Sequence, residues 1–264
     1  MKTEKIKVFL SDPQVLFREG IHFTLSGEED FEVTGETTNN EAAFVAIEAN
    51  PPNVSILNME SGKLNGPDAT RRIKRNFSSV SMILIMDNEN EEQLFAAIKC
   101  GANACLTKDT DPEYLVNIIR EIAQGSKPIV ETLLIPGLAS RAAAEFEALS
   151  ALSENINKLL ARPSLKEIEI LNLIAAGNGI EQVAARLSSS EEDIRHQLAL
   201  IVNKLVANDQ ARTVIEATQH SFPSLIPNSV LGNGSAIDYI TREEFNEFKD
   251  SLMQRLKSFI GELA

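Results

Sequence analysis

Residues 51–74 read PPNVSILNMESGKLNGPDATRRIK. The run NVSILNM is short and apolar, bounded by Pro51-Pro52 before it and Gly62 after it, and ATRRIK begins a helical pattern. This is a buried strand, a loop and a helix. Asn65-Gly66 between them reads as a tight turn, because both residues tolerate positive φ. Working outward, the same alternation repeats. Before it lie the strand VFL, a helix with Val15, Leu16, Ile21 and Leu25 at helical spacing, the strand FEVTGET and the helix EAAFVAIEAN. After it lie SMILIMD, EEQLFAAIKCG, ACLTK and DPEYLVNIIREIAQG. Five strands alternating with five helices predict an α/β doubly wound parallel sheet, whose ligand crevice lies at the carboxyl ends of the strands.

The chain has 264 residues, room for two compact domains. Hydrophobic residues at 43% and charged residues at 24% fit a globular protein rather than a disordered or fibrous one. No run reaches the roughly 18 apolar residues of a membrane-spanning helix, and MKTEKIKVFL lacks a signal peptide's apolar region. These features predict a soluble cytoplasmic protein with no membrane partner. Twenty-five basic residues against 38 acidic ones leave a formal charge of −13, which opposes nonspecific attraction to nucleic acid or anionic membrane, so any such contact is local. Cys100 and Cys105 lack CxxC spacing, and His22, His196 and His220 lack metal-ligand spacing. No metal and no cofactor are expected, and the absence of a nucleophile–base pair, a phosphate-cradling glycine loop or paired catalytic carboxylates argues against an enzyme.

The segments SDPQVLFREGI, PPNVSILNMESGKLNGPDATRRIK and CGANACLTKDTDPEYLVNIIREIAQG are collinear over residues 6–130 with response-regulator receiver domains, and the stretch resembles those of the NarL/FixJ family. That resemblance implies a five-stranded receiver-like, flavodoxin-like domain. In the family an aspartate ending the third strand accepts a phosphoryl group, and magnesium is held by it and by an acidic pair after the first strand. The matching positions here are Asn58 for the acceptor and Asp12-Pro13 for the pair. An amide replaces the carboxylate nucleophile, and Pro13 offers no side-chain oxygen to a hard cation. Met86 stands at the hydroxyl position, Cys105 at that of the switch aromatic, and Lys108 is conventional. The implied state is a pseudo-receiver, a degenerate phosphoacceptor site that is phosphorylation-independent. Lys108 either locks Asp12 or Asn58 in place, or these are solvated remnants, or the site is rebuilt for a small ligand.

Residues 131–162 read as a linker helix with Leu149, Leu152, Ile156 and Leu159 on one stripe, which either packs on its own chain or forms a dimer contact. Residues 163–218 read as three or four short helices: SLKEIEILNLIAAG, GIEQVAARL, SSSEEDIRHQLALIVNKLVA and QARTVIEAT. They resemble the LuxR-type helix-turn-helix domain that follows NarL/FixJ receivers. Arg186, Arg195, His196, Gln197 and Lys204 are the candidate DNA contacts. Residues 163–217 nevertheless carry five basic and eight acidic side chains, and Glu192 and Asp193 stand where the family has basic and hydroxyl residues.

The last segment, 219–264, lies outside the family pattern. A Pro/Gly/Ser/Asn-rich linker leads to Thr241-Arg242-Glu243-Glu244, a capping box, and an amphipathic helix with Phe245, Phe248, Leu252, Leu256, Phe259 and Leu263 on its apolar face. That face packs on its own chain, on a second copy or on another protein. Two functions follow: an orphan transcriptional regulator of the response-regulator type that binds promoter DNA as a homodimer, or a protein-interaction adaptor that has lost both phosphotransfer and DNA binding.

Overall fold

The computed structural model describes residues 5–150 and 160–221. The chain divides into two units, Met1–Arg212 and Thr213–Ala264. Five parallel strands, β1 (Ile6–Ser11), β2 (Phe31–Thr37), β3 (Val54–Asn58), β4 (Ser81–Met86) and β5 (Ala104–Thr107), form one sheet in the order β2-β1-β3-β4-β5. Helices α1 (Val15–Ser26), α2 (Asn40–Ala49), α3 (Gly66–Asn76), α4 (Glu91–Cys100) and α5 (Pro112–Ala123) make the crossovers. The predicted doubly wound receiver-like sheet is the observed one.

Strand residues alternate between the two faces. Val8, Leu10, Val54, Ile56, Ile83 and Ile85 face α1 and α5, where Leu25, Ile119 and Ile122 cover them. Phe9, Leu57, Met82, Leu84 and Met86 face α2, α3 and α4, against Ile47, Ile73 and Ile98. Burial on both faces is why NVSILNM reads as an unbroken apolar run.

A 3-10 helix (Pro128–Leu134) and α6 (Pro136–Ser150) follow. Then come α7 (Leu165–Ala175), α8 (Ile180–Arg186) and α9 (Glu191–Ser221). Ser164 and Glu167 cap α7 reciprocally, and the Ser190 hydroxyl accepts the Asp193 amide at the start of α9. The expected break between NKLVA and QARTV is absent, because α9 continues for 31 residues. No glycine or proline stands between Leu205 and Ser221 to end it.

The α2–α3–α4 side of the sheet shares one apolar cluster with the later helices. Leu138, Ala142 and Phe146 of α6 link it to Ile170 and Ile174 of α7, Val183 of α8, and Ile194, Leu198, Ile201 and Leu205 of α9. Polar contacts cross the same boundary. Arg71 of α3 makes a bidentate pair with Asp209 of α9 at 2.5 and 3.1 Å, and Lys99 of α4 pairs with Glu145 of α6 at 3.2 Å.

The Asn65-Gly66 turn is corrected. Asn65 has φ −65° and caps α3 by accepting the Asp68 amide, and Gly66 is the first residue of the helix rather than a positive-φ residue. Gly66 is needed for close approach, since a Cβ there would lie 2.8 Å from the Asn58 carbonyl and 2.9 Å from Leu84 Cδ2. Gly66→Ala therefore forces α3 away from β3 and costs roughly 2 kcal/mol, within the range for overpacking a close-packed interior. Urea unfolding of the purified variant measures it, and an unchanged midpoint would contradict the close approach.

Candidate functional site

The crevice is built from consecutive strand ends, as the parallel topology requires. Asp12 follows β1, Asn58 ends β3, Met86 ends β4 and Lys108 follows β5. Asp12 and Asn58 are each only 4% exposed. The Asn58 side-chain amide donates from Nδ2 to Asp12 Oδ2 at 2.7 Å, and its Oδ1 accepts the Glu60 backbone amide at 2.8 Å. Asp12 Oδ1 accepts the Gln14 amide at 2.7 Å, and Lys108 Nζ lies 3.3 Å from Asp12 Oδ2. Both functional atoms of Asn58 and both oxygens of Asp12 are thereby occupied.

Two contributors, Asp87 and Asn40, are absent from the sequence reading. Asp87, just beyond β4, holds Lys108 Nζ at 2.6 Å. Fully buried Asn40 of α2 donates to the Asn58 carbonyl at 2.9 Å and accepts from the Ser11 hydroxyl at 3.2 Å. The strand-end rule would have located Asp87, because it follows Met86 on the same rim; nothing in the sequence marks Asn40. Pro13 is exposed and supplies no oxygen. Met86 is buried, and its backbone carbonyl accepts the Lys108 amide at 3.0 Å. Cys105 is partly buried, and burial pushes its thiol up to about 12, as it does that of Cys100, so both stay protonated and weakly nucleophilic.

A cleft opens beside Asn58, and its rim carries Glu60, Asp87 and Glu89. Those carboxylates make the rim negative, and an amide rather than a carboxylate stands at position 58. Among the described residues no cluster of His, Cys, Asp and Glu is arranged to hold a metal ion.

The second candidate surface is the α8–α9 pair. Arg186 is exposed at the end of α8. Arg195 and His196 are exposed on α9, and Gln197 is half-buried. Arg195 pairs with Glu191 at 3.3 Å and with Glu131 of the 3-10 helix at 3.2 Å. Lys204 is turned inward, with Nζ at 2.6 and 2.7 Å from the carboxylate oxygens of Glu167, which is 1% exposed. Arg186, Arg195 and Lys204 thus do not form one free strip. Leu149 is partly buried at the end of α6, whereas Leu152, Ile156, Leu159 and the tail positions Phe245, Phe248, Leu252, Leu256, Phe259 and Leu263 lie outside the described residues. Among the described residues no helix is long and apolar enough to cross a membrane.

The comparisons with known proteins agree with this architecture. The response regulator receiver domain family matches residues 8–120. Over most of its length the chain is similar to transcriptional regulators of the NarL type. It is 28% identical to the uncharacterized transcriptional regulatory protein YxjL of Bacillus subtilis (strain 168), over 83% of this chain and 98% of that one. It is also 28% identical to the probable transcriptional regulatory protein NarL of Mycobacterium tuberculosis (strain ATCC 25618 / H37Rv), over 81% and 94%. Among solved structures it is similar to the signal receiver domain of the putative response regulator NarL from Mycobacterium tuberculosis, with 27% identity over 47% of this chain and 99% of that one and a TM-score of 0.45.

Glu167 gives the helical region a pH signature. Burial acts to raise its carboxyl, but hydrogen bonds from Lys204 and the Ser164 amide prevail and hold it below the ordinary carboxylate range. A depressed carboxyl stabilises the fold above its unfolded-state pKa, and that contribution is lost as pH falls through the folded value. Lys204→Met leaves a buried carboxylate unpaired and costs about 3–5 kcal/mol at pH 7. The deficit shrinks as the pH falls, because burial raises the unpaired carboxyl of the variant, which protonates before the paired one of the parent protein. Urea unfolding of both proteins at pH 7 and pH 4 checks it, and a pH-independent difference would sink the assignment.

Proposed function

We propose that the chain is a transcriptional regulator of the response-regulator type that works without phosphorylation and binds promoter DNA as a homodimer through α8 and α9. The observation that carries this is a receiver followed by a helix-turn-helix, collinear over four fifths of the chain with proteins named transcriptional regulators. Arg186, Arg195, His196 and Gln197 are the residues offered to DNA. Lys204 contributes by holding α9 against α7 through Glu167. The stripe from Leu149 to Leu159 and the C-terminal helix are the proposed dimer contacts.

Independence from phosphorylation is supported by Asn58, Pro13 and Met86 at the acceptor, acid and hydroxyl positions, and by an Asp12–Asn58 hydrogen bond that ties the two side chains to each other. After treatment with acetyl phosphate and magnesium, intact mass spectrometry is expected to show no phosphoryl adduct. An acid-labile adduct in the crevice would overturn this part of the reading.

A specific observation favours the adaptor as a second reading. Arg195 and Lys204 are paired with carboxylates, and Arg212 lies 3.9 Å from Glu145, so little positive charge remains for phosphates. Selection from fragmented genomic DNA separates the two readings, using the full chain and a chain ending at Ser221, each at low and near-physiological salt. Enrichment of a palindrome with half-sites about one helical turn apart supports the regulator. No enrichment with either protein at either salt supports the adaptor.

A further inference from the structure

A cavity of about 200 Å³ lies between the receiver and α9. Lys74 of α3 and Lys127, just after α5, reach it from the receiver side, and Val202, Asn203 and Val206 line it from α9. Its apolar wall is completed by Ala102 and the buried face of Cys100, and no carboxylate lines it.

The two lysines stand apart from the other cations near this boundary. Arg71 is matched by Asp209, Lys99 by Glu145 and Arg195 by Glu131. Lys74 instead donates to the neutral Asn103 Oδ1 at 3.2 Å, and Lys127 to the neutral Asn203 Oδ1 at 3.2 Å. Burial, and then the charge of Lys127, pull the Lys74 ammonium down to about 8. The two ammoniums line one open cleft, Lys74 half-buried and Lys127 exposed, with no carboxylate among its walls, and an anion between them offsets their mutual repulsion.

We propose that this cavity binds a small organic carboxylate, its oxygens between Lys74 and Lys127 and its apolar body against Val202 and Val206. The cavity is smaller than the roughly 300–1,000 Å³ of sites for drug-sized ligands, which limits the occupant to about the size of a benzoate or a short-chain acid. A strongly hydrated inorganic anion satisfies the lysines but not the valines. The ligand touches the receiver and α9 at once, so it stabilises their docking. This goes beyond the DNA-binding reading and holds whether or not DNA is bound.

The test uses the full chain and benzoate as the probe, followed by thermal unfolding and by titration of amide resonances. A saturable rise in melting temperature is expected, with shifts at Ala102, Asn203 and Val206. Benzyl alcohol, of the same shape without the charge, is expected to give no saturable effect. Lys127→Gln and Lys74→Met each remove a cation that has no carboxylate partner, so both variants fold; each weakens benzoate by about tenfold or more, the range for a charge-assisted hydrogen bond. Absence of saturation overturns the proposal, as does equal binding of benzyl alcohol or undiminished binding by both variants. Saturable binding of inorganic phosphate without benzoate overturns the organic part and leaves only an anion site.

Discussion

The hydrogen bond from Asn58 Nδ2 to Asp12 Oδ2 is the constraint on which the crevice depends. A carboxylate at position 58 would set two negative oxygens against each other at that distance, where only a cation or a shared proton makes the pair tolerable. An amide supplies the missing donor. Its oxygen then accepts the Glu60 amide, which fixes the start of the loop that leads to α3. Asp12 in turn takes the Gln14 amide and Lys108, so side chains join the ends of β1, β3 and β5. Lys108 is shared with Asp87, and its ammonium also lies 5.5 Å from the Phe17 ring centroid, which holds it further in place. Asp12, Asn58 and Lys108 at its centre all have partners.

Docking of α9 is governed by different forces. The exposed Arg195–Glu131 pair is worth about 0–1 kcal/mol, whereas Arg71–Asp209 is bidentate and largely buried, and both set the register of the helices. The apolar cluster supplies the larger share, at about 1.5–3 kcal/mol for each side chain the size of Leu198 or Ile201 that is fully buried. Asn208 adds a polar lock, accepting the Ala161 amide at 2.7 Å and donating to the Ala161 carbonyl at 3.0 Å. The unbroken course of α9 is what brings Asn208 and Asp209 to these partners. A helix ending after Lys204 would carry neither.

The parallel sheet was legible because a strand buried on both faces leaves a short apolar run, and five such runs alternate with helical spacing. Asn58, Pro13 and Met86 were legible because each sits at a strand end, a position that sequence alone locates. What remained hidden depended on distance along the chain. Lys204 reads as an exposed base on a recognition helix, but its partner Glu167 lies 37 residues earlier and serves its own cap as well. Asn65-Gly66 was misread because a glycine required for close approach has the same letter as one required for positive φ. The continuity of α9 was missed because the pattern of short helices outweighed the plain absence of a breaker.

The energetics of the α9 boundary indicate what could move α9. Separating exposed ion pairs costs little, so freeing Arg195 from Glu131 is not the barrier. The barrier is the apolar cluster, whose exposure would cost several kcal/mol. An effector shifts such an equilibrium only by its difference in affinity for the two states, and a shift from 1:99 to 99:1 needs about 5.5 kcal/mol of difference. Groups that touch both sides of the boundary have that leverage, and groups within the crevice alone do not. Lys74, Lys127 and Asn203 stand on that boundary, whereas Asp12, Asn58 and Lys108 are satisfied among themselves. Leverage over the position of α9 therefore lies where α9 meets the receiver rather than among the side chains of the crevice.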